Sequence, residues 1–413
     1  MKNFIFLSFL SIFALFFSCD DSETRFETRI VANAVLENKD VIRASISVES
    51  ERPINESGKI YTYVNYVFVN DRNLGVHVID NRNPENPQKI AFLKIPGNVD
   101  IEVRNDILYA DSYTDLVLFD ISNIDAITFI ERYEDVFNDF GFAQASLTEP
   151  FDQVDYGDYD PEVSFIVDWT FTEIQVEIQE FEDEIFAEAS SSDAGNVTGQ
   201  GGSFARFKIV DSYLYAVDFS DLYVFDISMS GIANQVGQQG IGWEIETIFN
   251  RDDYLYIGSQ SGMLIYNIEN RTQPQYASEI SHWQGCDPVV VDGDYAYLTL
   301  RGGNVCGQDL SILEVINISD KNNPYSVHEY TMQEPYGLGF KEDLLFVSDG
   351  PNGFQIYDKT NPEDLVLIEV IEDINVFDVI PLEDRLLAIA DNILYQYTYE
   401  ENGLTLLSEF VID

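Results

Sequence analysis

A short block of aromatic and aliphatic residues recurs along this chain, and its period constrains the fold more than any other feature. The copies are Tyr66-Val-Phe-Val69, Ile107-Leu-Tyr-Ala110, Tyr213-Leu-Tyr-Ala216, Tyr254-Leu-Tyr-Ile257, Tyr295-Ala-Tyr-Leu298, Leu344-Leu-Phe-Val347 and Arg385-Leu-Leu-Ala388. Successive copies are offset by 41, 106, 41, 41, 49 and 41 residues. A period of this length marks a supersecondary unit that cannot bury its own apolar face and must stack on its neighbours.

Each block usually follows a polar two-residue turn signal, such as Asn105-Asp106, Gly293-Asp294 or Glu342-Asp343, so it reads as the second strand of a unit. Third strands then end in an acid or amide, as in Val76-His-Val-Ile-Asp80, Val117-Leu-Phe-Asp120, Tyr223-Val-Phe-Asp226, Leu264-Ile-Tyr-Asn267, Glu314-Val-Ile-Asn317 and Gln355-Ile-Tyr-Asp358. A turn often rich in Asn and Pro leads to a fourth strand, of which Lys89 to Ile95 is an example. Four short strands per unit of about 40 residues is the pattern of a propeller blade. The expected fold is therefore all-β: a seven-bladed β-propeller of four-stranded blades, with an acidic insertion between blades 2 and 3. A β-sandwich or open solenoid would use the same strands but leave edges exposed, which radial closure avoids.

The third-strand motif, clearest in Val76 to Asp80 and Leu116 to Asp120, resembles the LVIVD repeat of bacterial and archaeal cell-surface proteins. The likeness covers nearly all of the chain after residue 58 and fades in the last copy, where Tyr395-Gln-Tyr397 replaces the acid-ended strand. It implies a surface β-propeller and carries no established chemistry.

The N-terminus implies export. Lys2 precedes an apolar run from Phe4 to Phe17, too short for a spanning helix, which needs about 20 residues, but suited to a signal peptide. Phe16-Phe17-Ser18-Cys19 resembles a bacterial lipobox, although Phe17 is bulkier than the usual residue there. The resemblance implies cleavage before Cys19 and lipidation of its sulfur. Asp20-Asp21-Ser22-Glu23 resembles the export signal of Bacteroidota surface lipoproteins, implying the outer membrane with the protein facing outward. The expected division is a signal peptide over 1–18, an acidic tether and N-terminal segment over 19–58, and the propeller over 59–413 with the insertion at 131–203.

Charge limits the partners. With 22 basic and 73 acidic residues the chain carries a net −51, which repels nucleic acid and anionic lipid headgroups. The 29 Phe and 24 Tyr argue against disorder. The insertion holds 19 acidic residues and one basic residue, Arg132. Within it Ile174, Val176 and Ile178 alternate with polar residues, which predicts a strand, expected to pair with Val163 to Phe171. Asp155, Asp158, Asp160 and Glu162 invite a Ca²⁺ reading, but Gly157 stands ahead of the acids it follows in an EF-hand loop. Cys286 and Cys306 flank a hairpin of the fifth unit and suit one disulfide, of about 3 kcal/mol in the chain-entropy account.

No zinc spacing, nucleophile elbow or phosphate loop is present. Aligning the units instead places Asp71, Asp111, Asp218, Ser259, Arg301, Asp349 and Asp391 just beyond the second-strand blocks. In a closed propeller these lie on one circle. Such a ring can hold Ca²⁺ or the polar groups of a glycan or peptide. Alternatively, the acids accept backbone N–H groups in repeated turns. The expected function is a lipid-anchored, non-enzymatic binding or scaffold module for a protein or glycan at the cell surface, with no nucleic acid and no resident cofactor beyond a candidate Ca²⁺. A cation-dependent hydrolase or lyase using the Asp ring, and a structural subunit of an outer-membrane complex, are the alternatives.

Overall fold

Every recurring block forms the second strand of an antiparallel sheet. The computed structural model describes residues 26–138, 151–177, 205–259, 262–281, 288–302, 310–400 and 403–412. Cys19, His282, Cys286 and Cys306 lie outside the described residues.

Eight sheets form among the described residues. Six have four strands in simple sequential order, one for each of repeats 2 to 7. Repeat 1 runs through Ser57–Tyr63, Tyr66–Asp71, Gly75–Asp80 and Gln88–Lys94, and gains a fifth, outer strand from Ser47–Glu49. In six repeats the first residue of the turn into the second strand has positive φ: Val64, Asn105, Asp211, Asp252, Gly293 and Glu342. Tight turns of this hand match the twist of the strands that they join.

The acid or amide that ends each third strand closes the next turn. Asp80, Asp120, Asp226, Asn267, Asn317 and Asp358 each accept the backbone N–H two residues ahead. The residue following each of them donates to the carbonyl of the second residue in the preceding hairpin turn, as Ile121 does to Asp106 and Ile268 to Asp253. The repeat motif thus encodes a turn lock.

The first strands touch one another in cyclic order, from repeat 1 through repeat 7 and back to repeat 1. Seven apolar cores lie between successive sheets in the same order. Closure uses no shared strand. The seam between repeats 7 and 1 is held by Ile54, Ile60, Ile389 and Ile412 in one core, and by a buried amide pair, Asn81 with Gln396, at 2.8 and 3.0 Å.

Register sets Lys59, Asp100 and Asp378 at one equivalent position, just before the residues that pair with Val69, Ala110 and Ala388. All three are buried. Asp100 accepts the N–H groups of Arg206 and Phe207 in repeat 3 at 2.8 Å and pairs with Lys59 of repeat 1 at 3.0 Å. Asp378 accepts Ile60 N–H across the seam at 3.3 Å.

The eighth sheet departs from the sequence reading. The two segments expected to pair, Val163 to Phe171 and the stretch beginning at Ile174, instead run together as one continuous strand, Ser164–Glu177, and Ile178 lies outside the described residues. Its antiparallel partner is Phe26–Asn38, and Gln153–Asp155 adds in parallel on the other edge. The N-terminal segment expected as a tether therefore holds, in its described part, this strand, a short helix Lys39–Ala44 and the strand Ser47–Glu49. Asp155 and Asp160 accept the N–H groups of Gly157 and Glu162 in tight turns. The sheet docks through Phe165, stacked on Tyr113 at 4.5 Å, and through Arg43, which bonds both oxygens of buried Asp115 at 2.8 and 2.9 Å.

Candidate binding face

The second strands all end on one side of the cyclic array, which is also the side reached by the connectors that carry the chain from one sheet to the next. On this ring face the aligned residues divide into latches and cavity walls.

Asp71, Asp111, Asp218 and Asp349 are latches. Asp71 accepts the N–H groups of Asn55 and Glu56 at 3.0 Å, and Asp349 those of Gln333 and Glu334 at 2.7 and 3.0 Å. Asp111 accepts Val99 and Asp100 at 2.8 Å. Asp218 reaches Asn138 N–H at 3.0 Å, while its other oxygen closes its own turn on Ser220 and Asp221. Each carboxylate fastens the incoming connector to the end of a second strand. A charged acceptor for paired N–H groups is worth more than a neutral one, which suits Asp at this position. Ser259 has the same place and its hydroxyl donates to the Gly262 carbonyl at 2.9 Å.

On Asp349 and Asp71 the second oxygens are occupied too. On Asp349 the remaining oxygen accepts Asn352 and Gln355 at 2.8 and 3.0 Å. On Asp71 it faces Arg52 and His77, both at 3.3 Å. Burial pushes the Asp71 carboxyl up, but hydrogen bonds from His77 and the two N–H groups leave it below its ordinary value. Asp111, buried beside Asp100, is pushed up to about 6. The contact of His77 with Asp71 follows from pairing between the second and third strands of repeat 1. Among the described residues no group of three or more His, Cys, Asp or Glu is arranged to hold a metal ion.

Arg301 and Asp391 instead line a cavity of about 500 Å³, open to solvent, on the ring face across repeats 5, 6, 7 and 1. Its other walls are Asn55, Glu56, Ser57, Arg72, Tyr336, Asn375, Phe377 and Asn392. Most of these sit on connectors, so the repeat alignment does not reveal them. The seam shapes the cavity: Ser57 N–H donates to the Asn392 side-chain oxygen at 2.8 Å. The Asp349 latch also serves it, holding the stretch that leads to Tyr336, whose own N–H donates to Ser348 at 3.0 Å. The Arg301 guanidinium lies over the Tyr336 ring at 4.5 Å and is 9% exposed.

A second aromatic feature on this face was not singled out by the repeats. Trp243, 71% exposed, meets Phe219 edge-on at 6.1 Å. The flanking residues Ile241 and Ile245 donate to the carbonyls of Ser220 and Phe219, which holds the tryptophan outward.

No protein-family profile matches the chain, and no curated protein sequence matches it. Solved structures do. The computationally designed Ika8 protein aligns with a TM-score of 0.52 at 10% identity, over 87% of this chain and 88% of that one. BamB from Moraxella catarrhalis aligns at 0.47 and 10% identity, over 89% and 99%. Hsv2 from Kluyveromyces lactis aligns at 0.48 and 10%, over 87% and 100%. At this identity the Ika8 likeness extends to the fold alone. Together with the cyclic order of the sheets, it places the chain among all-β proteins of radially arranged four-stranded sheets, the β-propeller architecture.

Proposed function

We propose that this chain is a seven-bladed, lipid-anchored propeller of the LVIVD-repeat kind, displayed at the outer membrane through Cys19, that binds a protein or glycan without chemistry of its own. The observation that carries the binding reading is the cavity on the ring face, walled by amides, a serine, two aromatic rings, two arginines and two carboxylates, Glu56 and Asp391. Concave sites of this kind, with a few convergent polar groups, are where proteins of this size bind ligands. The cyclic contact of seven first strands supports the blade count. The latch role of four ring aspartates favours binding over hydrolysis, because at least one oxygen of each already accepts backbone N–H groups.

Two experiments test the proposal. Asn375 is exposed on the cavity wall, so Asn375→Trp fills the cavity with little strain on the fold. Glycan and peptide arrays probed with the wild-type protein are expected to give binding that this variant loses; binding that survives the block overturns the site. Cys19→Ala is expected to move the protein from the membrane fraction to the soluble one, and unchanged retention overturns the anchor.

A further inference from the structure

The cavity is an unusual place for cations in this molecule. Only 22 of 413 residues are Lys or Arg, yet two guanidiniums line one opening. Arg72 is committed: it pairs with Glu56 at 2.9 Å. Arg301 is not. Among the described residues no ion pair joins it to a carboxylate, and its guanidinium is held by stacking on Tyr336. The closest acid in the hydrogen-bond chain is Glu334, and it already accepts the Tyr336 hydroxyl at 2.8 Å.

A buried, charged guanidinium that no carboxylate among the described residues pairs with is costly unless something supplies one. Its fork matches a carboxylate in a two-pronged pair. The remaining walls narrow the ligand further. Asn55, Ser57, Asn375 and Asn392 present side-chain amides and a hydroxyl suited to sugar hydroxyls. Tyr336 and Phe377, 5.9 Å apart and inclined at 53°, offer two ring faces to a sugar's C–H surface.

We propose that the cavity binds a carboxylated sugar, of the hexuronate type, through Arg301. This assignment rests on the cavity being the binding site. It also gives the net charge a role in selectivity. A chain of −51 repels polyanions at long range, so the site favours short acidic oligosaccharides or acidic chain ends over densely charged polymers.

The test is calorimetric titration with trigalacturonic acid and with neutral galactotriose as the probes, in EDTA so that shared Ca²⁺ cannot bridge. Wild-type protein is expected to bind the acid at least tenfold more tightly than the neutral sugar. Arg301→Gln is expected to remove that preference, the loss of a charge-assisted pair being worth about tenfold or more. Arg301→Lys, which keeps the charge but not the fork, is expected to retain part of it, and covers the case in which Gln does not fold. Equal affinity for the two sugars overturns the proposal, as does a preference that Arg301→Gln leaves intact. If array binding blocked by Asn375→Trp is confined to peptides, the sugar assignment fails while the cavity stands as the site. If Asn375→Trp blocks nothing, the site itself fails.

Discussion

At the residue scale, the same side chain does different work according to what surrounds it. The repeat supplies an aspartate at the end of most second strands, and the fold uses it as an acceptor for the connector that arrives beside it. Asp349 shows it well, with four donors converging on its two oxygens. Asp349→Ala leaves all four without a partner and is expected to cost about 2–4 kcal/mol in urea unfolding. Asp349→Asn keeps one acceptor oxygen and is expected to cost less. Because Tyr336 lies on the latched connector, the alanine variant is also expected to weaken ligand binding at Arg301. A cost below about 0.5 kcal/mol, the range of ordinary surface changes, would show that the latch does not matter.

At the scale of the element, the repeat strands were legible and the accessory sheet was not. Strand blocks, turn dipeptides and the closing Asp or Asn all recur locally, so periodicity exposes them. The strand Phe26–Asn38 pairs with residues more than a hundred positions away, at Ser164–Glu177, and nothing in either segment names the other. An alternating pattern says that Ile174 and Val176 belong to a strand; it does not choose the partner. The cavity was half legible for a related reason. Arg301 and Asp391 fall on the repeat alignment, whereas Asn375 and Phe377 sit on a connector and reach the site only because the ring closes. Arg43 ties the accessory sheet to repeat 2: its side chain is 13% exposed and its partner Asp115 is fully buried. Arg43→Ala removes that tie while leaving Arg132 on Asp115. Hydrogen exchange is expected to quicken across Phe26–Asn38 and Ser164–Glu177 while the sheets of repeats 4 to 6 stay protected. Uniform quickening would mean that the accessory sheet is part of the propeller's own cooperative unit.

For the whole molecule, acidity and closure meet at the inner strands. Asp378, at the seam, is fully buried and pushed up to about 7 by that burial, against the N–H groups of Ile60 and Val379 and the charge of Lys59. Asp100 is raised for the same reason, and Asp111 to about 6. The native state therefore holds protons that the unfolded chain, with ordinary carboxyls near 3.8, has released. Stability from these groups is complete below about pH 4 and is lost as pH rises through 6 to 7. Self-repulsion at −51 acts in the same direction, since protonation relieves it. Asp71 opposes them: its carboxyl lies below the ordinary value, so its contribution is lost only at still lower pH. The propeller is thus expected to be most stable near pH 4, and to lose stability as pH rises from there to about 7, where most proteins are near their optimum. Asp378→Asn isolates the seam. At pH 3.5 the wild-type side chain is protonated in the native state and mostly so in the unfolded chain, and the amide mimics it, so the two proteins are expected to unfold at similar urea concentrations. At pH 8 the wild type must carry a buried charge that the variant lacks, and the variant is expected to be more stable by about 4 kcal/mol, at about 1.4 kcal/mol for each unit of raised pKa. A difference that does not change with pH would show that Asp378 stays ionised and that its N–H partners and Lys59 outweigh its burial.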